Sequence, residues 1–197
     1  MGGDSGEGRG ENNSAEGRLT RAALDAFRDA AVTWAGTGYG KPLVDAAAEA
    51  LVAGLDTPTL RVLAGAPARF ADEEATEYGP GTFEELGLDV PEKLSEEAYL
   101  ELARLKAREF LKRGGSARRL AADLWMLYVN SGYRSELVDF SGFDDWYAML
   151  DDRVIQGDLD DVDASVRESA QRLVDGLPTK GSELAARFME HLSLIHI

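Results

Sequence analysis

The apolar residues of this chain recur at helical spacing, and helix-capping residues stand at nearly every break in that spacing. The first stretch repeats at intervals of three and four residues, through Leu24, Phe27, Ala31 and Trp34. No stretch shows the sustained alternation of apolar and polar residues that is typical of a strand. The sequence therefore predicts an all-α fold, with about seven or eight helices in a single compact domain.

Glycine, proline and serine residues mark where the predicted helices begin and end. The glycines of residues 36–40 end the first helix, and Thr57-Pro58 opens a short one. A weaker helix lies within Asp72–Leu86, interrupted by Gly79-Pro80-Gly81. Ser95 is predicted to cap the longest helix, which runs to Arg113, and Ser116 the next one.

Three further caps are predicted toward the C-terminal end. Ser141 precedes a helix predicted over Phe143–Val154, and Asp163 is an acid suited to a helix start. Ser165-x-x-Glu168 has the pattern of a capping box.

The two ends of the chain differ in composition from the rest. Residues 1–17 are rich in Gly, Glu, Asn and Ser, which predicts a disordered tail before a helical domain over residues 18–191. The last six residues, LSLIHI, are what CTG TCT CTT ATA CAC ATC encodes, a string that resembles a transposase end sequence used in sequencing libraries. We therefore expect residues 192–197 to be adaptor read-through, which leaves His191 as the only natural histidine.

The bulk composition excludes several classes of function. The absence of cysteine excludes disulfides, thiolate metal sites and cysteine nucleophiles. The longest strongly apolar run, Leu124–Val129, is far too short to span a membrane. A formal charge of −15 opposes binding to nucleic acid and to anionic lipid. These features predict a cytoplasmic protein whose partner is neither nucleic acid nor membrane.

Two motifs come close to known binding loops without completing them. Residues 35–42, AGTGYGKP, approach a phosphate-binding loop, but Pro42 stands where the magnesium-binding Ser or Thr is needed. We interpret them as a flexible glycine connection between two helices. The aspartates from Asp158 to Asp163 lack the glycine and the bidentate glutamate of a calcium loop. The near absence of histidine leaves no base for a nucleophilic triad. No catalytic residue, metal ligand or cofactor is therefore assigned.

Basic residues concentrate between Arg104 and Arg119, where acids at the start of the long helix and bases at its end suit the helix dipole. Glu101 and Arg104, and Arg119 and Asp123, stand at pairing distances along their helices.

The acidic residues are concentrated in one segment. Twelve of the 36 fall between Glu136 and Asp175, against three arginines. In the helix predicted over Phe143–Val154, the aromatic residues share one face and four aspartates the opposite one, with no basic residue among them. Such a surface suits a basic protein, with aspartates steering the encounter and aromatics anchoring it. The predicted partner-binding residues are Asp144, Asp145, Trp146, Tyr147, Asp151, Asp152, Asp158, Asp160 and Asp161. An ordinary solvated helix edge would have the same composition, and that alternative stays open.

Two segments resemble parts of uncharacterised helical proteins from actinobacteria: Thr57–Gly65, TPTLRVLAG, and Asp144–Tyr147, DDWY. Some of those proteins are similar to acidic immunity proteins that neutralise bacterial toxins. The resemblance extends from about Leu19 to Leu177 and rests on structural motifs, so it assigns no functional residue. It implies an acidic face that meets a toxin.

The leading hypothesis is thus an acidic helical binding protein for a basic partner such as a toxin domain. A small carboxylate- or metal-dependent helical enzyme is one alternative. A structural or oligomerisation module, in which Trp125, Trp146 and Tyr147 are core residues, is the other. The sequence does not specify the oligomeric state.

Overall fold

The computed structural model describes residues 8–154 and 157–181, with side-chain surroundings from residue 17 onward. Within those ranges the chain forms eight α-helices, two short 3-10 segments and no strand, which confirms the predicted all-α class and helix number. The α-helices are α1 Gly8–Thr37, α2 Lys41–Val52, α3 Pro58–Ala64, α4 Ala71–Glu85, α5 Glu96–Arg113, α6 Ala117–Asn130, α7 Phe143–Asp151 and α8 Leu159–Val174. The 3-10 segments are Ala68–Phe70 and Ser135–Ser141. The predicted adaptor residues 192–197 lie outside the described residues.

The contacts group the chain into two compact units. Unit 1 spans residues 1–94 and contains α1–α4, and unit 2 spans residues 95–197 and contains α5–α8. The prediction of one helical domain over residues 18–191 stays a prediction. Because α1 begins at Gly8, helix is assigned to part of the segment 1–17 that was predicted to be disordered.

Unit 1 holds the glycine-rich connection in place by close packing. The Gly40 amide donates a hydrogen bond to Asp72 Oδ1 at 2.6 Å, so a carboxylate of the same chain occupies the position where a phosphate loop would hold its anion. The Lys41 ammonium pairs with Asp45 at 2.5 Å. The connection between α1 and α2 is Gly38–Gly40, shorter than the interpreted residues 35–42, and its last glycine is tightly packed where the sequence predicted a flexible connection.

Helix α4 runs without a break through Pro80, where the sequence predicts an interruption. Proline removes one backbone hydrogen bond and crowds the preceding turn. The helix continues because its other side is buried: Ala75 and Gly79 are buried, and a Cβ on Gly79 would lie 3.6 Å from the Leu43 side chain of α2. Tertiary packing here outweighs the local preference of Gly79-Pro80-Gly81.

Unit 2 confirms two of the predicted caps. The Ser95 hydroxyl accepts a hydrogen bond from the Ala98 amide at the start of α5, and the Ser116 hydroxyl accepts one from the Arg119 amide at the start of α6. Each bond satisfies an amide that a helix start leaves without a partner. The two helices pack on each other and on α8, which closes the core of this unit.

One of the two predicted ion pairs of unit 2 forms and the other does not. Arg104 and Glu101 pair at 2.5 Å on α5. Asp123 pairs with Lys106 of α5 at 2.9 Å instead of with Arg119 of its own helix. The α5–α6 packing offers Asp123 a closer cation, so the predicted Arg119–Asp123 pair is wrong.

Candidate partner-binding surface

Helix α7 begins directly after Gly142 and ends at Asp151, shorter than the predicted Phe143–Val154. Arg153 adopts a left-handed backbone with φ 56°, while the amides of Arg153 and Val154 donate to the carbonyls of Leu150 and Met149. Two such hydrogen bonds around one left-handed residue form a motif that commonly ends a helix. Arg153 is not a glycine, so its left-handed conformation gives no composition signal in the sequence.

The aromatic face of α7 is buried. Trp146 is 7% exposed and Tyr147 is 2% exposed, and the Phe143 ring stacks on Trp146 with centroids 6.4 Å apart. Both Trp146 and Tyr147 were predicted to contact a partner. Their side chains lie instead in the core that α7 forms with α6 and α8, so neither is available at the surface.

The Tyr147 hydroxyl ties α7 to α8. It donates a hydrogen bond to Asp163 Oδ1 at 2.5 Å, and the Arg118 guanidinium lies over the Tyr147 ring at 5.3 Å. Burial raises the pKa of the Tyr147 phenol, and the Asp163 carboxylate raises it further. Asp163 thus accepts a side-chain hydrogen bond inside α8, and its predicted role as a cap is wrong.

Asp151 has an intramolecular partner on another helix, although no basic residue stands among the four aspartates of its own helix face. Its Oδ2 pairs with Arg118 of α6 at 2.6 Å, and this hydrogen bond is the main cause that raises the pKa of the Arg118 guanidinium. The pair is about half exposed, so it contributes on the order of 0.5 kcal/mol to stability. The contact joins residues 33 positions apart, which helical spacing does not reveal.

The remaining aspartates of α7 are exposed. Asp144 and Asp145 lie in the first turn, where the helix dipole favours negative charge, and Asp152 follows the last residue. Gly142 occupies the capping position, and the Ser141 hydroxyl donates to the Val138 carbonyl instead of capping α7. The predicted Ser141 cap is therefore wrong.

Helix α8 begins earlier than its predicted capping box. Asp158 is the capping residue and accepts a hydrogen bond from the Asp160 amide at 3.0 Å, with Asp160 and Asp161 exposed in the first turn. Ser165 lies inside the helix, where its hydroxyl donates to the Asp161 carbonyl. The cap is the first of the four aspartates near the helix start, whereas the prediction from the sequence is the last of them, Asp163.

Asp158 caps α8 and Asp163 accepts from Tyr147. Five other exposed aspartates around α7 and the first turn of α8 form no ion pair within the described ranges: Asp144, Asp145, Asp152, Asp160 and Asp161. We call these five residues the open aspartates. The Tyr147–Asp163 hydrogen bond fixes the two helices that carry them. Among residues 8–154 and 157–181, no group of three or more acidic or histidine side chains is arranged to hold a metal ion. The surface can therefore offer fixed negative charge to a cation-rich partner.

No family model, curated protein or solved structure matches this chain. Within the described part of the chain, no helix is both long enough and apolar enough to cross a membrane. The function proposed below therefore rests on the geometry and charge of the open aspartates.

The Arg118–Asp151 pair is tested by comparing Asp151→Asn with Asp152→Asn. Both changes remove a charge from the unfavourable end of α7, so their dipole effects cancel in the comparison. We expect Asp151→Asn to be less stable than Asp152→Asn by about 0.5 kcal/mol, because only Asp151 is paired. Urea unfolding of both variants, alone and combined with Arg118→Met, gives the coupling energy of Arg118 with each aspartate. An equal coupling of Arg118 to both aspartates would contradict the observed pairing.

Proposed function

We propose that this chain is an acidic helical binding protein, active in the cytoplasm, that engages a basic protein through the open aspartates. The observation that supports this proposal best is the exposure, on one pair of adjoining helices, of five carboxylates that form no ion pair within the described residues. Clustered like charges raise the local concentration of oppositely charged partners and accelerate association. Two segments of the sequence resemble uncharacterised actinobacterial helical proteins, some of which are similar to acidic immunity proteins, so the partner we propose is a basic toxin domain.

The proposed contact set is narrower than the nine residues predicted from the sequence. Asp151 is committed to Arg118, and Asp158 caps α8. Trp146 and Tyr147 are buried. Without exposed aromatic anchors on α7, charge is expected to act mainly on the rate of association, with strong dependence on ionic strength.

The proposal is tested with Asp144→Asn/Asp152→Asn, a double variant in α7. Asp144 stabilises the start of the helix and Asp152 destabilises its end, so the two dipole effects offset each other. Asp144 also attracts Arg118, so the fold should lose at most about 0.5 kcal/mol of stability. Basic proteins captured at low salt from an actinobacterial lysate are identified by mass spectrometry. Association rates with each captured protein are then measured for both forms of the chain. We expect the double variant to associate about tenfold more slowly at low salt. The difference should disappear at about 1 M salt, where screening acts over a few ångströms.

The matched control is Glu73→Gln/Glu84→Gln. These residues are exposed near the start and the end of α4, so the variant loses the same charge with the same balance of dipole effects in unit 1. We expect its association rate to equal that of the unmodified chain. An equal slowing in both double variants would mean that net charge alone attracts the partner. Recovery of no basic protein at low salt would refute the binding proposal.

The toxin assignment has its own test. Each captured protein is expressed in a bacterial host alone and together with this chain. We expect growth arrest that co-expression relieves, with less relief by the α7 double variant than by the α4 control. If the captured protein leaves growth unaffected, the binding proposal for this chain stands and its proposed immunity role is excluded.

A further inference from the structure

Helix α6 carries apolar residues on two sides. Leu120, Leu124 and Leu127 are buried in the core of unit 2. Trp125, Met126 and Tyr133 remain 39%, 50% and 64% exposed, and the residues between them along the same side are only half-buried. We call this outward face the α6 stripe; it consists of Ala122, Trp125, Met126, Val129 and Tyr133.

The composition of the α6 stripe is that of a contact surface. Four of its residues recur at the spacing of one helix face, and Tyr133 lies beyond the end of α6, with φ 68° and its ring 5.3 Å from that of Tyr128. Tryptophan, tyrosine and methionine are enriched where proteins meet, as is arginine. An exposed tryptophan beside an exposed methionine forms a contiguous apolar patch, which is uncommon on a helix face that only contacts solvent.

One end of the α6 stripe is basic. Arg119 is exposed at the start of α6 and forms no ion pair within the described part of the chain, whereas the charge of its neighbour Arg118 is balanced by Asp151 of α7. The turn through Gly114 and Gly115 brings Lys112 and Arg113, at the end of α5, next to this start. Arg113 is paired only loosely, with Glu109 at 3.6 Å.

The other end of the α6 stripe is acidic. Three carboxylates surround the single guanidinium of Arg134: Glu96 at 4.0 Å, Glu97 at 3.6 Å and Glu136 at 2.6 Å. Arg134 lowers the pKa of Glu136 to about 2, so that carboxylate keeps its charge. Glu96 lies beside the Tyr133 turn, since a Cβ on Gly132 would be 3.5 Å from Glu96 Oε1. With three negative charges against one positive charge, this end is complementary to the basic one.

We propose that the α6 stripe docks on the α6 stripe of a second copy, with the two helices antiparallel about a two-fold axis. A two-fold axis brings the same patch of both copies together. The antiparallel arrangement sets the basic end of each stripe against the acidic end of the other, so the complementary contact forms twice. A parallel arrangement would oppose like charges at both ends.

The dimer is weak because the stripe is short. Residues 122–129 span about 10 Å of helix, which is small for a stable interface. A dissociation constant on the order of 100 µM is expected for so small a contact. Asp144 acts on Arg118 at the start of α6, so the α7 variant suited to this comparison is Asp152→Asn alone, which should dimerise like the unmodified chain. Failure of the dimer and failure of the basic-partner proposal are therefore distinguishable.

Sedimentation velocity of the full chain between about 5 and 500 µM tests the dimer, since that range brackets the expected constant. We expect the sedimentation coefficient to rise with concentration in the unmodified chain and to stay monomeric in Met126→Glu. The control is Val52→Glu, which places the same charge on an exposed valine of α2 and should dimerise normally. A chain that stays monomeric at every concentration would overturn the proposal.

Charge reversal tests the antiparallel arrangement. Arg119→Glu and Glu96→Arg should each weaken self-association about tenfold. In each variant, positions 119 and 96 of the two copies carry charges of the same sign, and this contact forms twice about the axis. An equimolar mixture of the two variants should restore it, since one copy of the mixed dimer then carries acids at both positions and the other copy carries bases. A mixture that associates no better than the separate variants would refute the arrangement. Melting curves of dilute samples check that both variants are folded.

Discussion

Gly40→Ala is expected to destabilise unit 1 by about 3 kcal/mol or more, since overpacking of this kind forces the backbone to move. A Cβ on Gly40 would lie 2.1 Å from the Ala71 carbonyl oxygen and 2.8 Å from the Ala75 Cβ. The φ of Gly40 is −83°, which alanine adopts freely, so the loss would come from the collision alone. The collision would also displace the Gly40 amide from Asp72. Urea unfolding followed by circular dichroism measures the change.

Gly65→Ala is the matched control, because Gly65 has nearly the same backbone conformation, with φ −84°. A Cβ on Gly65 would make only ordinary contacts, the nearest at 3.5 Å. We expect this variant to be as stable as the unmodified chain or up to about 1 kcal/mol more stable, because alanine restricts the unfolded state. Equal stability of the two variants would show that the start of α2 does not approach α4 as closely as described.

Trp146→Ala is expected to cost about 3–5 kcal/mol, the range for removing a large aromatic side chain from a core. Trp146 is buried and stacked on Phe143, so the change leaves a cavity that the packed helices cannot fill. The same experiment separates two roles for the aromatic residues of α7. Removal of a surface anchor for a partner would have little effect on the free energy of unfolding, whereas removal of a core residue lowers it.

Trp125→Ala is the control for this comparison, because it makes the same substitution at a tryptophan that is 39% exposed. We expect a cost of about 1 kcal/mol in dilute samples, since less apolar area leaves the core. If the two tryptophan variants lost equal stability, the assignment of Trp146 to the core and Trp125 to the surface would be wrong.

Many features of the fold that depend on nearby residues could be predicted from the sequence, although the predictions of the Ser141 cap and the Arg119–Asp123 pair, which are equally local, were wrong. Apolar spacing shows the helices, and Ser95 and Ser116 are found as caps because a cap and its amide lie three residues apart. The separation of α7 into an aromatic face and an acidic face is visible in the same way. Periodicity does not say whether an aromatic face is buried by the chain itself or left for a partner.

The parts that depend on distant residues could not be predicted. Arg118 reaches Asp151 and the Tyr147 ring, and Tyr147 reaches Asp163, only because α6, α7 and α8 pack together. These contacts decide which aspartates remain open. Close approach between helices likewise explains why Gly40 must be a glycine, a requirement that the AGTGYGKP motif does not express by itself.

The division of α7 into a buried and an exposed face also bears on how such a protein can diverge. Positions 144, 145 and 152 project into solvent, while the fold depends on positions 143, 146 and 147 of the same short helix. Substitutions at the exposed positions can accumulate with little loss of stability, because surface changes away from special features are nearly neutral. Descendants of one ancestor could then keep the same architecture while their preferences for partners drift apart.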